Sequence, residues 1–476
     1  MIKVTSEAEK VCVAKANEAG QGHIFDGWDE LPPEDQRTLI SQVMDIDFQL
    51  VTRLVGQCLQ GSKGALEGRV LKPAPTERLP RLETNREDYE LCRTLGEYAL
   101  RNGEVTLVMA AGGGPCPPHC EPAGLLPVGP VSGNSLFQLH AEKIQALNRR
   151  YKTSLRWTIV CHPAEREQVA AYFKSRAYFG LQCTDIGFTS QDLLPVVDRR
   201  GKILLSAPGR MAMGPNGHGG VLLRLLDPGR LETLEEAGVR HIFYFQADNP
   251  LVTIADPVFL GHHIRQECEV SSKAVRKEDP AERTGVFCQV NDTTGVVEYS
   301  ELTEADRNQR HPDGSLVLAA ANVGTHVFSI DFLRRLREER IPLPFHAVER
   351  LTPYIRRGKL VRPVEPNSFR FVAFAFDAIW LAKRTSILEV EREDEFSPIK
   401  QATGSECSPA SAQLSLSRLY ARWLREAGAN LPERAGTEHG PAVEISPLFA
   451  LDAAELKERA ELHIPPTGSI LLGGRP

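Results

Sequence analysis

From residue 103 to about 250 the chain alternates short β-rich runs with amphipathic stretches. Glu104-Val105-Thr106-Leu107-Val108-Met109-Ala110, Trp157-Thr158-Ile159-Val160-Cys161 and His241-Ile242-Phe243-Tyr244-Phe245 read as buried strands. Helical periodicity predicts helices over Ser135 to Tyr151, burying Leu136, Ile144 and Leu147, and over Ala164 to Phe179 and Gly220 to Ala237. The segment from Pro195 to Leu205 reads as a hairpin. Strands alternating with helices predict an α/β fold with a mostly parallel, doubly wound, Rossmann-like central sheet. Before it, residues 1–100 read as a helical region. Leu39, Ile40, Val43, Met44, Ile46, Phe48, Leu50, Val51, Leu54 and Val55 cluster at helical spacing after the breaker Pro32-Pro33. Residues 101–390 form the expected central domain, and the Pro, Gly and Ser clusters beyond it predict a small C-terminal domain over 391–476.

Composition narrows the function. With 476 residues, 42% hydrophobic and 25% charged, the chain has material for a substantial core. A formal net charge of −6 offers nucleic acid no basic footprint. The first ten residues lack the apolar heart of a signal peptide, and no run reaches the roughly 18 apolar residues of a membrane helix. The expectation is a cytoplasmic protein that binds neither nucleic acid nor membrane. The ten cysteines lack the dense spacing of a disulfide scaffold. Cys116-Pro117-Pro118-His119-Cys120 nevertheless groups three soft-metal ligands, which keeps a zinc reading open although no fourth ligand is evident nearby.

Three places suggest chemistry. Gly112-Gly113-Gly114 directly follows the first sheet strand, where open α/β sheets bind nucleotides on bare backbone N–H groups; a simple tight turn is the alternative. Asp248, in Ala247-Asp248-Asn249, follows another strand and suits Mg²⁺ held against phosphates, or else caps its own turn. Gly214-Pro215-Asn216-Gly217-His218-Gly219-Gly220 looks like a loop of close approach to a ligand.

The order of these pieces resembles the eukaryotic-type UDP-sugar pyrophosphorylase family, most closely its UDP-N-acetylhexosamine pyrophosphorylases, from about residue 30 to 450. Further landmarks are Ser190-Gln191, Val297-Glu298-Tyr299-Ser300, Ala321-Asn322-Val323, Phe376-Asp377 and Glu444-Ile445-Ser446-Pro447-Leu448. The most distinctive is Arg392-Glu393-Asp394-Glu395-Phe396-Ser397-Pro398-Ile399-Lys400. The resemblance implies a nucleotidyltransferase fold that joins UTP and a hexose or N-acetylhexosamine 1-phosphate into a UDP-sugar, with Mg²⁺ as cofactor and pyrophosphate released. By carry-over, Gly112, Gly113 and Gly114 face the nucleotide, and Gln191 and Gly217 the uracil. Asp248 holds the metal, with Asp377 a second carboxylate near it. His218, Glu298 and Asn322 contact the sugar, and Lys400 is the catalytic cation that neutralises the sugar phosphate.

The chain also departs from the family pattern. Where the family loop reads A-G-G-x-G-T-R-L-G followed by P-K-G, this chain has Ala110 to Pro118 and Pro122-Ala123-Gly124, so Cys116 replaces the loop arginine and Ala123 the lysine. Each lost charge stabiliser typically costs on the order of 10²–10³ in rate. The alternative is therefore a catalytically impaired member that binds UDP-sugar or a uridine nucleotide as a regulator, unless Arg210 or His119 supplies the charge. His218 stands where acetylhexosamine enzymes carry Asn and looks like the G-H-G loop of glucose-using relatives, which bears against acetamido selectivity; the plain alternative is a histidine that bonds a nearby backbone carbonyl.

Overall fold

The computed structural model describes residues 6–60, 69–111, 122–356, 358–459 and 468–473. The chain divides into two compact units. One comprises Met1–Arg69, Gln191–Leu223 and Pro342–Asp377, the other Val70–Ser190, Arg224–Ile341 and Ala378–Pro476.

The smaller unit opens with three helices, α1 (Glu7–Glu18), α2 (Pro33–Asp45) and α3 (Phe48–Val55). The apolar spacing from Leu39 to Val55 is divided between α2 and α3, because Asp47 Oδ1 accepts the Leu50 N–H at 2.9 Å and caps a new helix. Leu39, Val43, Phe48, Val51 and Leu54 pack in one core with Val197, Ile203, Met211 and Phe371. The predicted hairpin is present. Val197 bridges Ile203, Asp198 Oδ1 accepts the N–H groups of Arg200 and Lys202, and Gly201 takes the left-handed turn at φ +76°.

The larger unit carries the central sheet. Its helices are α4 (Arg86–Arg101), α5 (Leu136–Tyr151), α6 (Arg166–Ser175), α7 (Pro257–Arg265), α8 (Ile330–Glu338) and α9 (Pro409–Glu426). Its principal strands are β1 (Val105–Ala110), β2 (Trp157–Cys161), β3 (Ile186–Ser190), β4 (His241–Gln246), β5 (Val270–Arg276), β6 (Val286–Val290), β7 (Thr293–Val297), β8 (Ala320–Ser329) and β9 (Thr385–Glu389). The spatial order runs β9-β5-β8-β4-β1-β2-β3, with the two-residue strand Glu77–Arg78 outside β9. Pairs β4/β1, β1/β2, β2/β3 and β5/β9 are parallel, while β8 runs antiparallel to both neighbours. Every residue of β1 is buried, as a strand covered on both faces requires. On one face Phe243 and Phe245 of β4 meet Phe137 and Ile144 of α5 and Phe259 of α7. On the other, Tyr244 stacks on His326 with ring centroids 5.8 Å apart.

Two predicted helices are shorter than their apolar spacing suggests. α6 stops at Ser175, and Tyr178 and Phe179 turn left-handed so that the Phe179 ring reaches Phe173 at 5.2 Å. The stretch from Gly220 is split into Gly220–Leu225 and Arg230–Glu236 by Asp227-Pro228-Gly229, where Pro228 lacks a donor and Gly229 sits at φ +83°. α4 and α7 cross in backbone contact: a Cβ on Gly261 would lie 1.6 Å from the Cys92 carbonyl oxygen. Toward the C-terminus, α9 buries Leu416, Tyr420 and Leu424 with Leu136 and Leu139 of α5 and with Val443 and Ile445. Among the described residues no helix is long and apolar enough to cross a membrane.

This core holds neutral histidines. His140 is fully buried; its Nε2 faces the Ala247 carbonyl at 2.9 Å and must donate, which leaves Nδ1 bare. Burial, reinforced by the Lys143 cation, pushes its pKa down to about 3, and burial with Arg240 nearby pushes His241 down to about 4. Because these folded-state values lie below the unfolded value near 6.5, the unfolded chain takes up protons first on acidification. Their contribution to stability is complete above pH 6.5 and is lost as pH falls toward 4 and then 3. Between pH 7 and 5 His140 alone should cost roughly 2 kcal/mol. Melting temperature followed over that range should fall, with a shallower slope in His140→Gln.

Candidate functional site

The carboxyl edge of the sheet collects most of the candidate residues of the larger unit. β4 and β1 run parallel in register, Gln246 opposite Ala110, and the Ala247 N–H donates to the Ala110 carbonyl at 3.0 Å. The loop carrying Asp248 thus leaves the sheet beside Ala111, the residue from which the glycine-rich stretch departs. Gly112, Gly113, Gly114, Cys116, His119 and Cys120 lie outside the described residues.

Lys400 reaches this edge from the distinctive stretch near the C-terminus. Its Nζ donates to Asp248 Oδ2 at 2.5 Å and to Gln246 Oε1 at 3.3 Å. Gln246 in turn lies against Gly324, where a Cβ would sit 2.9 Å from the glutamine side chain. Gly324 takes φ +72° and donates its N–H to Asn322 Oδ1 at 2.9 Å, so the Asn322 amide has its oxygen engaged and its Nδ2 as donor. The Asn322 N–H donates to the Gly285 carbonyl at 2.9 Å, and a Cβ on Gly285 would lie 3.3 Å from Glu298 Oε1. The pairing explains this: Val286 of β6 stands opposite both Val297 and Ala321, which places Glu298 and Asn322 on either side of Gly285. The fold therefore brings Asp248, Lys400, Asn322 and Glu298, far apart in sequence, into one contiguous row.

Gln191, Gly217, His218 and Asp377 belong to the smaller unit. Gln191 is buried. Gly217 adopts φ +84°, and a Cβ there would lie 2.5 Å from the Ala373 carbonyl, so this position needs glycine. The loop is pinned by Gly219 N–H on the Ala373 carbonyl and Ala373 N–H on the Asn216 carbonyl, each at 2.8 Å. His218 Nδ1 accepts the Ala375 N–H at 3.2 Å, which leaves the ring proton on Nε2, and the ring lies beside Phe374 and Phe376. Asp377 is 1% exposed; its Oδ2 accepts from the Phe374 N–H and from His346 Nε2, both at 3.0 Å. Arg210 is exposed and lies 3.9 Å from Asp35. Ala123, at the family's lysine position, is buried at the start of a short turn, Ala123–Leu125, whose Gly124 packs on the Phe137 ring.

Sequence reasoning passed over the groups that support the Asp248 loop. His140 and Lys143, three residues apart on α5, hold its carbonyls: Nε2 faces Ala247, and Lys143 Nζ donates to Pro250 at 2.7 Å and Val252 at 2.8 Å. Burial lowers the Lys143 pKa to about 7, against the opposing pull of Glu395. Lys273, wholly buried, donates to Asp256 Oδ2 and Glu395 Oε1. The available signal was a lysine in the middle of an apolar strand, Val270-Ser271-Ser272-Lys273-Ala274-Val275, which demands buried acidic partners.

For a metal, the described residues hold no cluster of three His, Cys, Asp or Glu side chains. Asp248 Oδ1 accepts no hydrogen bond among the described residues, and a single carboxylate suits a hard cation that takes its other ligands from water and phosphate.

Known proteins resemble the chain over most of its length. The human UDP-N-acetylhexosamine pyrophosphorylase-like protein 1 is 34% identical over 476 residues, covering 93% of each chain. The UDP-N-acetylglucosamine pyrophosphorylase of Saccharomyces cerevisiae is 32% identical over 447 residues, covering 90% of this chain and 92% of its own. The crystal structure of the uridine diphosphate N-acetylglucosamine pyrophosphorylase from Trypanosoma brucei superposes with a TM-score of 0.81 at 23% identity. It covers 98% of this chain and 99% of that one, a likeness that speaks to the fold alone. Residues 105–465 match the family described as UTP--glucose-1-phosphate uridylyltransferase, and the chain belongs to that family.

Proposed function

We propose that this protein is a uridylyltransferase that joins UTP and a hexose 1-phosphate, with N-acetylhexosamine 1-phosphate the preferred sugar, into UDP-sugar and pyrophosphate. The observation that carries the reading is the pairing of Lys400 with Asp248 beyond the carboxyl end of β4, in one row with Asn322 and Glu298. In the reaction a sugar-phosphate oxygen attacks the α-phosphorus of UTP, a new P–O bond forms, and the bond to the β-phosphate breaks with pyrophosphate leaving. Such transfer needs charge neutralisation and in-line placement rather than proton chemistry. Lys400 supplies a fixed positive charge for the sugar phosphate, and Asn322 Nδ2 and the Glu298 carboxylate offer a donor and an acceptor to sugar hydroxyls. Asp248 would hold Mg²⁺, which when bound neutralises phosphate oxygens. In the smaller unit, buried Gln191 and the Gly217 loop are assigned to uracil and His218 to the sugar, with Asp377 securing the turn below His218. The identities of the relatives, two of them named for N-acetylhexosamine or N-acetylglucosamine, support the choice of sugar.

Ligand that binds only the folded state raises its stability by RT ln(1 + [L]/Kd), about 2.7 kcal/mol at a hundredfold excess over Kd. Millimolar UDP-N-acetylglucosamine should raise the melting temperature, and UDP-glucose should raise it less. No shift with either nucleotide sugar contradicts the proposed site; a larger shift with UDP-glucose reassigns the sugar.

A further inference from the structure

The Asp248–Lys400 pair is the last link of a zipper between two segments distant in sequence. Glu395 accepts the Thr253 N–H on its carboxylate at 3.2 Å, and its own carbonyl accepts Asn249 Nδ2 at 2.6 Å. Asn249 Oδ1 accepts the Ser397 N–H at 3.0 Å, and the Asp248 carbonyl accepts the Ile399 N–H at 2.9 Å. The 395–400 segment is thereby laid against the 248–253 loop in fixed register, and Lys400 arrives at Asp248 as a consequence.

What sets that register is a buried charge. Lys273 Nζ lies 2.5 Å from Glu395 Oε1 and 2.8 Å from Asp256 Oδ2, 5.3 Å from the centre of the Phe259 ring. Asp256 ends the loop and caps α7, its Oδ1 accepting the N–H groups of Val258 and Phe259. One ammonium therefore ties the far end of the loop to the near end of the Lys400 segment. The pairing of β5 with β8 loses register here: Ser272 lies opposite His326 and Ala274 opposite Asn322, so Lys273 stands across from the extra residues 323–325 of β8. The Glu395 carboxylate also favours the charged form of Lys143, against its burial, so two lysines face two carboxylates here.

We infer that Lys273 is a positioning residue for uridylyl transfer, setting through Glu395 and Asp256 the distance between Asp248 and Lys400. This rests on the proposed function only for its catalytic consequence; the structural coupling stands by itself. Lys273 touches no substrate atom in this scheme. A mere core ion pair would be replaceable by neutral groups of similar shape with both stability and turnover retained, whereas neutralising a positioning residue would retain stability and lose turnover.

The test uses the full-length chain in two arms. Glu395→Gln keeps the shape and removes the charge Lys273 binds. Amide hydrogen exchange should then accelerate at least tenfold in residues 248–253 and 397–400, while β1 and β4 stay protected. Lys273→Arg, which keeps the cation, should retain most of the protection. Lys273→Met alone leaves Glu395 buried and uncompensated, so Lys273→Met with Glu395→Gln is its neutral companion, with Asp256 still held at the α7 N-terminus. In the second arm the folded double variant should melt near the parent yet show kcat reduced at least tenfold, with KM for UTP changed less than twofold. Parent-like exchange in both segments of a folded Glu395→Gln overturns the inference. So does accelerated exchange with unchanged kcat, which would make the cluster structural only. A parent without turnover or nucleotide-sugar binding, combined with the expected exchange, upholds the coupling and rejects the proposed function.

Discussion

Lys400→Met is expected to lower pyrophosphate release by a factor on the order of 10²–10³, the usual loss when one preorganised charge at a phosphoryl site is removed. Methionine keeps an unbranched apolar stem, and the Cys407 carbonyl accepts the Lys400 and Gln401 N–H groups at 2.7 and 3.0 Å, so the backbone should hold. The effect should fall on kcat and on KM for the sugar 1-phosphate, with KM for UTP little changed, because the charge is assigned to the sugar phosphate. Asp248→Asn separates the two members of the pair. It should abolish the Mg²⁺-dependent part of UTP binding and leave the Mg²⁺-independent part. If both variants behave as the parent, the pair is a surface salt bridge and nothing more.

Cys116→Arg combined with Ala123→Lys is expected to act in the other direction, raising pyrophosphate release by on the order of 10² or more. Family members carry cations at both positions, and phosphate charge stabilisers that act as a unit do not add, so the two changes belong in one protein. Ala123 is buried at the head of a turn fixed by Gly124 on Phe137, so a lysine there must carry its ammonium out to water. A folded double variant with the parent's rate would mean that Pro115, Pro117 and Pro118 have removed the donors such a loop needs, and the reading as a nucleotide-sugar binder would gain. A parent already turning over at a rate ordinary for such enzymes would show that other groups have taken over the missing charge.

The residues explain which parts of this fold were legible in the sequence. β1, β2 and β4 are mostly apolar runs, broken inside only by Thr106 and Thr158, and a strand buried on both faces has that signature. α5 was legible to within a residue because Ser135 caps it and its apolar spacing is unbroken. Local chemistry hid the rest. Asp47 and Pro228-Gly229 interrupt helices whose apolar period continues across them, and the left-handed turn at Tyr178 and Phe179 answers to the Phe173 ring, a tertiary demand. At the site, Asp248 and Lys400 could be named from sequence but not placed together, since 152 positions separate them. The Lys273 cluster was less legible still, because its partners Asp256 and Glu395 announce themselves only when β5 is packed.

Uridylyl transfer is tested most directly by one assay: the purified 476-residue protein incubated with UTP, Mg²⁺ and a panel of sugar 1-phosphates while pyrophosphate and nucleotide sugar are followed together. The prediction is equimolar release of pyrophosphate and UDP-N-acetylhexosamine, fastest with N-acetylglucosamine 1-phosphate, slower with glucose 1-phosphate, and absent without sugar phosphate. No pyrophosphate above the control with any sugar, from a protein that still gains thermal stability with UDP-sugars, would contradict uridylyl transfer and leave a binder built on an enzyme's fold.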